Sequence, residues 1–339
     1  MAGDHYENLV TKLGFPGSDR LKAVLEHLIT PEQALIADNL PGDVAETAEN
    51  TGVDQDKVKE SLEDMFHKGV VFPRGNMEER NYYRFARDII QLHDATQASG
   101  KLDPVQDKKL YELWHDFCRR EMYPFISVFA QNLPQPMGKV VPAYKAIKDL
   151  PGVQPWENFS EILKAQERIA VVPCSCRSRT TAVGENCNYV NEPKDWKCLQ
   201  FGRGAEYVIA RGSGREISLQ EALEIADRVE EEGLVHIGNY DDSMKLNTSC
   251  QCCQDCCEIF VAMSQNEGNI GDVYAPSRFT AVITEDECDG CGICEDYCQF
   301  NAIEINDQAV INRENCFGCG ICVVKCDNEA VKLKPKDDQ

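Results

Sequence analysis

Five cysteines, Cys250, Cys252, Cys253, Cys256 and Cys257, fall within the eight residues Cys-Gln-Cys-Cys-Gln-Asp-Cys-Cys. A disulfide staple, a zinc knot, an iron–sulfur cluster and a thiol relay all fit that local pattern. Four more cysteines lie upstream: Cys174 and Cys176 in Val171-Val-Pro-Cys-Ser-Cys-Arg177, then Cys187 and Cys198, each eleven residues after the one before. A chain of 339 residues buries a core without needing cross-links. The start, Met-Ala-Gly-Asp-His, lacks a basic and then apolar leader, and no stretch reaches membrane-span length, so the expected location is the cytoplasm. In a reducing compartment 18 cysteines point to metal ligands or redox groups rather than disulfides.

The last sixty residues carry an internal repeat. Cys288-Asp-Gly-Cys291-Gly-Ile-Cys294-Glu-Asp-Tyr-Cys298 returns 28 positions later as Cys316-Phe-Gly-Cys319-Gly-Ile-Cys322-Val-Val-Lys-Cys326. Glycines in such loops let backbone N–H groups come close to cluster sulfides. Two copies of C-x2-C-x2-C-x3-C resemble the bacterial two-cluster ferredoxin over about 280–335. The resemblance implies crossed ligation. Cys288, Cys291, Cys294 and Cys326 would hold one [4Fe-4S] cluster, and Cys316, Cys319, Cys322 and Cys298 the other. That family has proline after the fourth cysteine, whereas this chain has Gln299 and Asp327, which makes each turn less constrained.

The nine middle cysteines, Cys174, Cys176, Cys187, Cys198, Cys250, Cys252, Cys253, Cys256 and Cys257, suffice for two further cubanes with one thiol spare, or for one cluster plus a redox-active group. Adjacent pairs such as Cys252 and Cys253 point apart and can divide between sites. Zinc held by four of these residues is the alternative. About eight irons per chain would support zinc in place of further clusters, and roughly twelve to sixteen would exclude that alternative. The order P-C-x-C-R, a Leu-x-Phe-Gly segment, an acidic helix and C-x-C-C-x-x-C-C resembles a group of 4Fe-4S binding proteins from anaerobic bacteria and archaea over about 165–335, which implies an electron-carrying cofactor class.

Local signals suggest what positions these thiols. Asp255 and Glu258 read as a capping box that opens an apolar helix, with Cys256 and Cys257 in its first turn, where a helix N-terminus favours thiolate; Arg177 adds positive charge. Residues 217–237 read as a helix capped by Ser218 and Glu221, ended by Gly233 and followed by a strand. Residues 86–168 read as mostly helical. There Cys118 is expected to be a small buried apolar residue, and the histidines form no pair at ligand spacing.

Near the start, a helix with Leu21, Leu25 and Leu28 on one face precedes a turn, a helix with Val58, Leu62, Met65 and Phe66, and two short strands. That order resembles a winged-helix domain. Its second helix carries more acids than bases, which opposes phosphate binding, so a docking role is expected and no nucleic-acid partner.

The expected fold class is α+β: a winged-helix-like domain over 1–90, a helical connecting region over 91–165, a mixed α/β cysteine-rich iron–sulfur domain over 166–278 and a dicluster ferredoxin-like domain over 279–339. The expected function is electron transfer, as a ferredoxin-like carrier or electron-transfer subunit of anaerobic metabolism. The net charge of −22 favours redox partners with basic patches, flavoproteins among them. An oxidoreductase that reduces a substrate at the middle cysteines, or a redox-sensing regulator, are the other two readings.

Overall fold

Ser18 accepts the backbone N–H of Leu21 and starts the helix Asp19–Leu28, which buries Leu21, Val24, Leu25 and Leu28. Asp54 caps Gln55–Lys68 in the same way, and Gly69, left-handed at φ 85°, ends it. The strand Tyr82–Phe85 follows as the centre of a three-stranded antiparallel sheet, between Gly42–Asp43 and Val71–Arg74. This computed structural model describes residues 4–75, 77–185, 187–189 and 196–336. The whole is mixed α/β. Among the described residues no helix is long and apolar enough to cross a membrane.

The cysteine-rich part is built on a seven-stranded sheet. Its order is Tyr274–Ala275, Gly138–Val141, Val235–Asn239, Thr248–Cys252, Trp196–Phe201, Ile169–Pro173 and Arg215–Glu216. Only the first pair is parallel. Gly138–Val141 falls in the stretch expected to be mostly helical. Its four residues, just beyond a proline-rich segment, are too short to display a strand period.

Alternation along Ile169–Pro173 sorts its side chains onto two layers. Ile169 and Val171 pack with Phe159, Ile162, Ala222 and Val229 of the helices Phe159–Lys164 and Leu219–Glu232. Ala170 and Val172 pack with Ala205 and Val208 of the helix Gly202–Arg211. Leu219–Glu232 is capped by Ser218 as expected, but Glu221 turns its carboxylate to Arg215 instead of completing a box.

In the C-terminal part, Phe279–Ile283 pairs with Val331–Pro335 and Ile303–Asn306 with Gln308–Ile311, both antiparallel. Gln299, which stands where the ferredoxin pattern has proline, is buried. Its amide donates to Gly233 O at 2.9 Å and its carbonyl accepts Gln254 N–H at 2.8 Å. The departure from the pattern is thus a bracket between this part and the loop carrying the middle cysteines.

Candidate functional site

The C-terminal cysteines surround two hollows. Cys288, Cys291, Cys294 and Cys326 line one, and Cys298, Cys316, Cys319 and Cys322 line the other. In each, three cysteines come from one motif and the fourth from the other. The repeat extends to hydrogen bonding: Cys316 Sγ accepts Ala281 N–H at 3.4 Å, and Cys288 Sγ accepts Ala309 N–H, 28 positions on, at 3.5 Å. Cys298 Sγ also accepts Ala302 N–H, at 3.2 Å. Burial pushes Cys319 up to about 12 and Cys294 up to about 11. Such thiols become thiolates when positive charge, as from iron, is brought to them. The donor set and the N–H···S pattern therefore fit a cluster in each hollow.

The nine middle cysteines divide into two groups. Seven border a cavity of about 250 Å³, and six of these, all but Cys256, form one row along it. Their sulfurs run in sequence: Cys198 meets Cys174, Cys174 meets Cys176, Cys176 meets Cys257, Cys257 meets Cys252, and Cys252 meets Cys250. The fold accounts for each position. Cys250 and Cys252 stand two apart on one strand and so share a face, opposite Ile237 and Val235. Cys198 pairs with Val172 on the neighbouring strand, Cys174 leaves that strand's end, and Cys176 lies in the helix Ser175–Ala182. Contacts from Cys176 and Cys198 hold Cys174 well below the usual thiol range; Cys176 and Cys252 do the same for Cys257, helped by the N–H groups of Phe260 and Ile259. Their neighbours Cys176, Cys198 and Cys252 are pushed up.

The second group is Cys187, Cys253 and Cys256 with Asp255. Each adjacent pair is therefore split: Cys252 and Cys257 join the six, Cys253 and Cys256 the three. Arg177, buried between the groups, donates to Gln251 O at 2.8 Å and to Cys253 Sγ at 3.5 Å. The expected capping box is not formed. The helix is Glu258–Gln265 with Cys257 at its N-cap, and Asp255 instead accepts Asn188 N–H at 2.7 Å and meets Cys187 Sγ at 3.6 Å. Holding a second segment of chain takes Asp255 away from the cap.

The six-thiol cavity adjoins a cleft of about 520 Å³ at Cys198 and Cys250. Arg84, Arg87, Arg203 and Arg211 line this cleft with Phe72 and Tyr207; the acids there are Asp88 and Asp94. Phe72 and Tyr207 stack at 5.1 Å, and the Arg84 guanidinium lies 4.9 Å over Phe72. Burial, then the charge of Arg87, holds Arg84 below the usual guanidinium range. On the other side, Tyr274 of the cavity wall begins a run of rings: Tyr274 to Phe260 at 6.1 Å, Phe260 to Phe300 at 5.4 Å, and Phe300 stacked on Phe317 at 4.2 Å beside the second C-terminal hollow.

The structure also assembles a buried group that sequence reasoning passed over. His93, Cys118 and Glu258 converge. His93 Nε2 lies 2.9 Å from Glu258 Oε1, and Arg179 Nη2 is also 2.9 Å from that oxygen. Burial opposes the charge on both His93 and Glu258. Glu258 nevertheless holds His93 well above its usual range, while Arg179 and then His93 bring Glu258 down to about 2. With Arg179 already on the carboxylate, this is a charge-compensated network beneath the six-thiol cavity. Its one sequence signal is Arg179, two residues after Arg177.

A family model for the 4Fe-4S binding domain matches residues 281–304, which hold Cys288, Cys291, Cys294 and Cys298. No curated protein and no solved structure matches the chain. The matched segment and the hollow above it make the C-terminal part an iron–sulfur binding unit of the kind that transfers electrons.

Proposed function

We propose that the chain is a multi-cluster iron–sulfur electron-transfer protein of the cytoplasm. It would carry two [4Fe-4S] clusters with crossed ligands in a dicluster ferredoxin-like unit, and a third cluster in the six-thiol cavity. The observation that carries this reading is the grouping of Cys288, Cys291, Cys294 and Cys326 around one hollow and Cys298, Cys316, Cys319 and Cys322 around the other. Clusters there would supply one-electron chemistry; the protein's part is to hold them near one another, exclude water and set their hydrogen bonding. The packed rings from Tyr274 to Phe317 give a solvent-poor connection to the cavity.

The N-terminal part, winged-helix-like in its element order, would serve docking: its helix Gln55–Lys68 bears Asp56, Glu60, Glu63 and Asp64. The net charge of −22 would steer redox partners with basic patches, such as flavoproteins.

Crossed ligation separates two variants. Cys298→Ser is expected to alter the EPR signal of the cluster on Cys316, Cys319 and Cys322, and Cys326→Ser that of the other cluster. Each variant should lose at most about four irons, from a total of about twelve in clusters. If Cys298→Ser and Cys326→Ser perturb the same signal as Cys288→Ser and Cys316→Ser, respectively, crossing is wrong.

A second reading, substrate reduction at the six-thiol centre, is favoured by the adjoining arginine-lined cleft in an otherwise acidic chain. A small carboxylate or phosphate bearing an aromatic or acyl body fits its lining. On this reading such an anion changes the EPR signal of the middle cluster at low salt, and Arg84→Ala abolishes the change. A signal indifferent to these anions leaves electron carriage alone.

A further inference from the structure

Cys187, Cys253, Cys256 and Asp255 offer four donor atoms, all within 4.8 Å of one another. Cys187 Sγ and Cys253 Sγ are 3.7 Å apart, and Cys187 Sγ and Asp255 Oδ1 3.6 Å. A tetrahedral ion with metal–sulfur bonds of about 2.3 Å places its sulfurs about 3.8 Å apart. A cubane instead puts each thiolate on a different iron, which keeps its ligand sulfurs from closing into so compact a set. The same chain supplies the comparison: among the described residues no three sulfurs of either C-terminal hollow, or of the six-thiol cavity, approach one another this closely.

We infer that Cys187, Cys253, Cys256 and Asp255 bind a single tetrahedral metal ion of the zinc type, separate from every iron–sulfur cluster of the chain. All four protein positions are filled, as in a structural site, and the three cysteines are almost fully buried. Three thiolates and a carboxylate overcompensate a divalent ion, and Arg177 at Cys253 Sγ offsets part of the excess. Asp255 has an outer partner as well, since its second oxygen accepts Asn188 N–H.

The ion would fasten the segment around Cys187 to the Cys253–Cys257 loop. Gln254 of that loop donates its N–H to Gln299, so the ion braces the seat of the iron–sulfur unit on the middle sheet. The site holds whether or not the six-thiol cavity carries a cluster, because Cys256 borders that cavity but meets only Cys187 and Cys253, and the row of six sulfurs has no member in this group.

The test is metal and acid-labile sulfide content of the full chain purified anaerobically, wild type beside Cys187→Ser and Asp255→Asn. The expected result is one ion in excess of the sulfide-matched iron in wild type. Cys187→Ser should lose it with sulfide and EPR signals unchanged, and Asp255→Asn should bind it at least tenfold more weakly. Loss of about four irons with four sulfides from Cys187→Ser would make the group a cluster ligand set and overturn the inference. Unchanged metal content, or a Cys187–Cys253 disulfide in the wild-type chain, would overturn it too. Should Cys187→Ser fail to fold, native mass spectrometry of the wild type decides: one extra ion of zinc or iron supports the site, and whole clusters alone refute it.

Discussion

Gly318→Ala is expected to unfold the C-terminal unit at a markedly lower temperature and to strip its iron. Gly318 has φ +65°, and a methyl there would run into the carbonyl oxygen of Phe279 and the hydroxyl of Ser277. Phe279 is fixed by antiparallel pairing to Pro335, and Ser277 Oγ donates to Gly318 O, so neither neighbour is free to give way. The positive φ alone costs about 1 kcal/mol, and displacing a paired backbone brings the total to about 3 kcal/mol or more. Gly290, its counterpart 28 residues earlier, has φ +70° and meets the Asp307 carbonyl in the same way, so Gly290→Ala should behave alike. Gly52→Ala, at the end of the helix Val44–Thr51, is the control. It has φ +71° with open space at its Cβ position and lines neither hollow, and should cost about 1 kcal/mol with iron retained. Thermal unfolding and iron content of the three variants check this; a fully loaded Gly318→Ala of wild-type stability would refute it.

What could be read in the sequence follows from how local each feature is. The two C-terminal motifs were legible because every ligand spacing fits within eleven residues and the motif repeats; only the exchange of Cys298 and Cys326 is non-local, and it came from resemblance. The middle sites were not legible in that way. Cys187 lies 66 residues from Cys253, and Cys174 lies 83 from Cys257. Which thiols meet depends on the strand Thr248–Cys252 ending between Cys252 and Cys253, so that one faces the cavity and the next turns away. Asp255 departs from the expected cap because Asp-x-x-Glu before an apolar run has only the local form of one, while its tertiary partners lie at Cys187 and Asn188. His93, Cys118, Arg179 and Glu258 span 165 residues and carry no shared spacing.

Arg177→Met is expected to have the largest effect on the middle sites. Arg177 is 2% exposed, one residue after Cys176, and its guanidinium reaches Gln251 O and Cys253 Sγ across the partition between the two groups of thiols. Behind the thiol–thiol contacts, which lower Cys174 and Cys187 but raise Cys198, its charge also favours the thiolate at all three. A single cation thus serves both anionic assemblies in surroundings that screen little. Removing one partner of a buried charged set costs about 3 kcal/mol, roughly a hundredfold in the metal-loading equilibrium. The variant should lose metal from both middle groups while the C-terminal iron and its EPR signals persist. Arg177→Lys keeps the charge but not the planar fork, so it should load partially. Where its cluster forms, weaker charge stabilisation of the reduced state shifts the potential negative. Because one residue stands between both groups, the losses should be correlated: a variant that empties the six-thiol cavity yet keeps the three-thiol ion at full occupancy would mean that Arg177 serves only one of them.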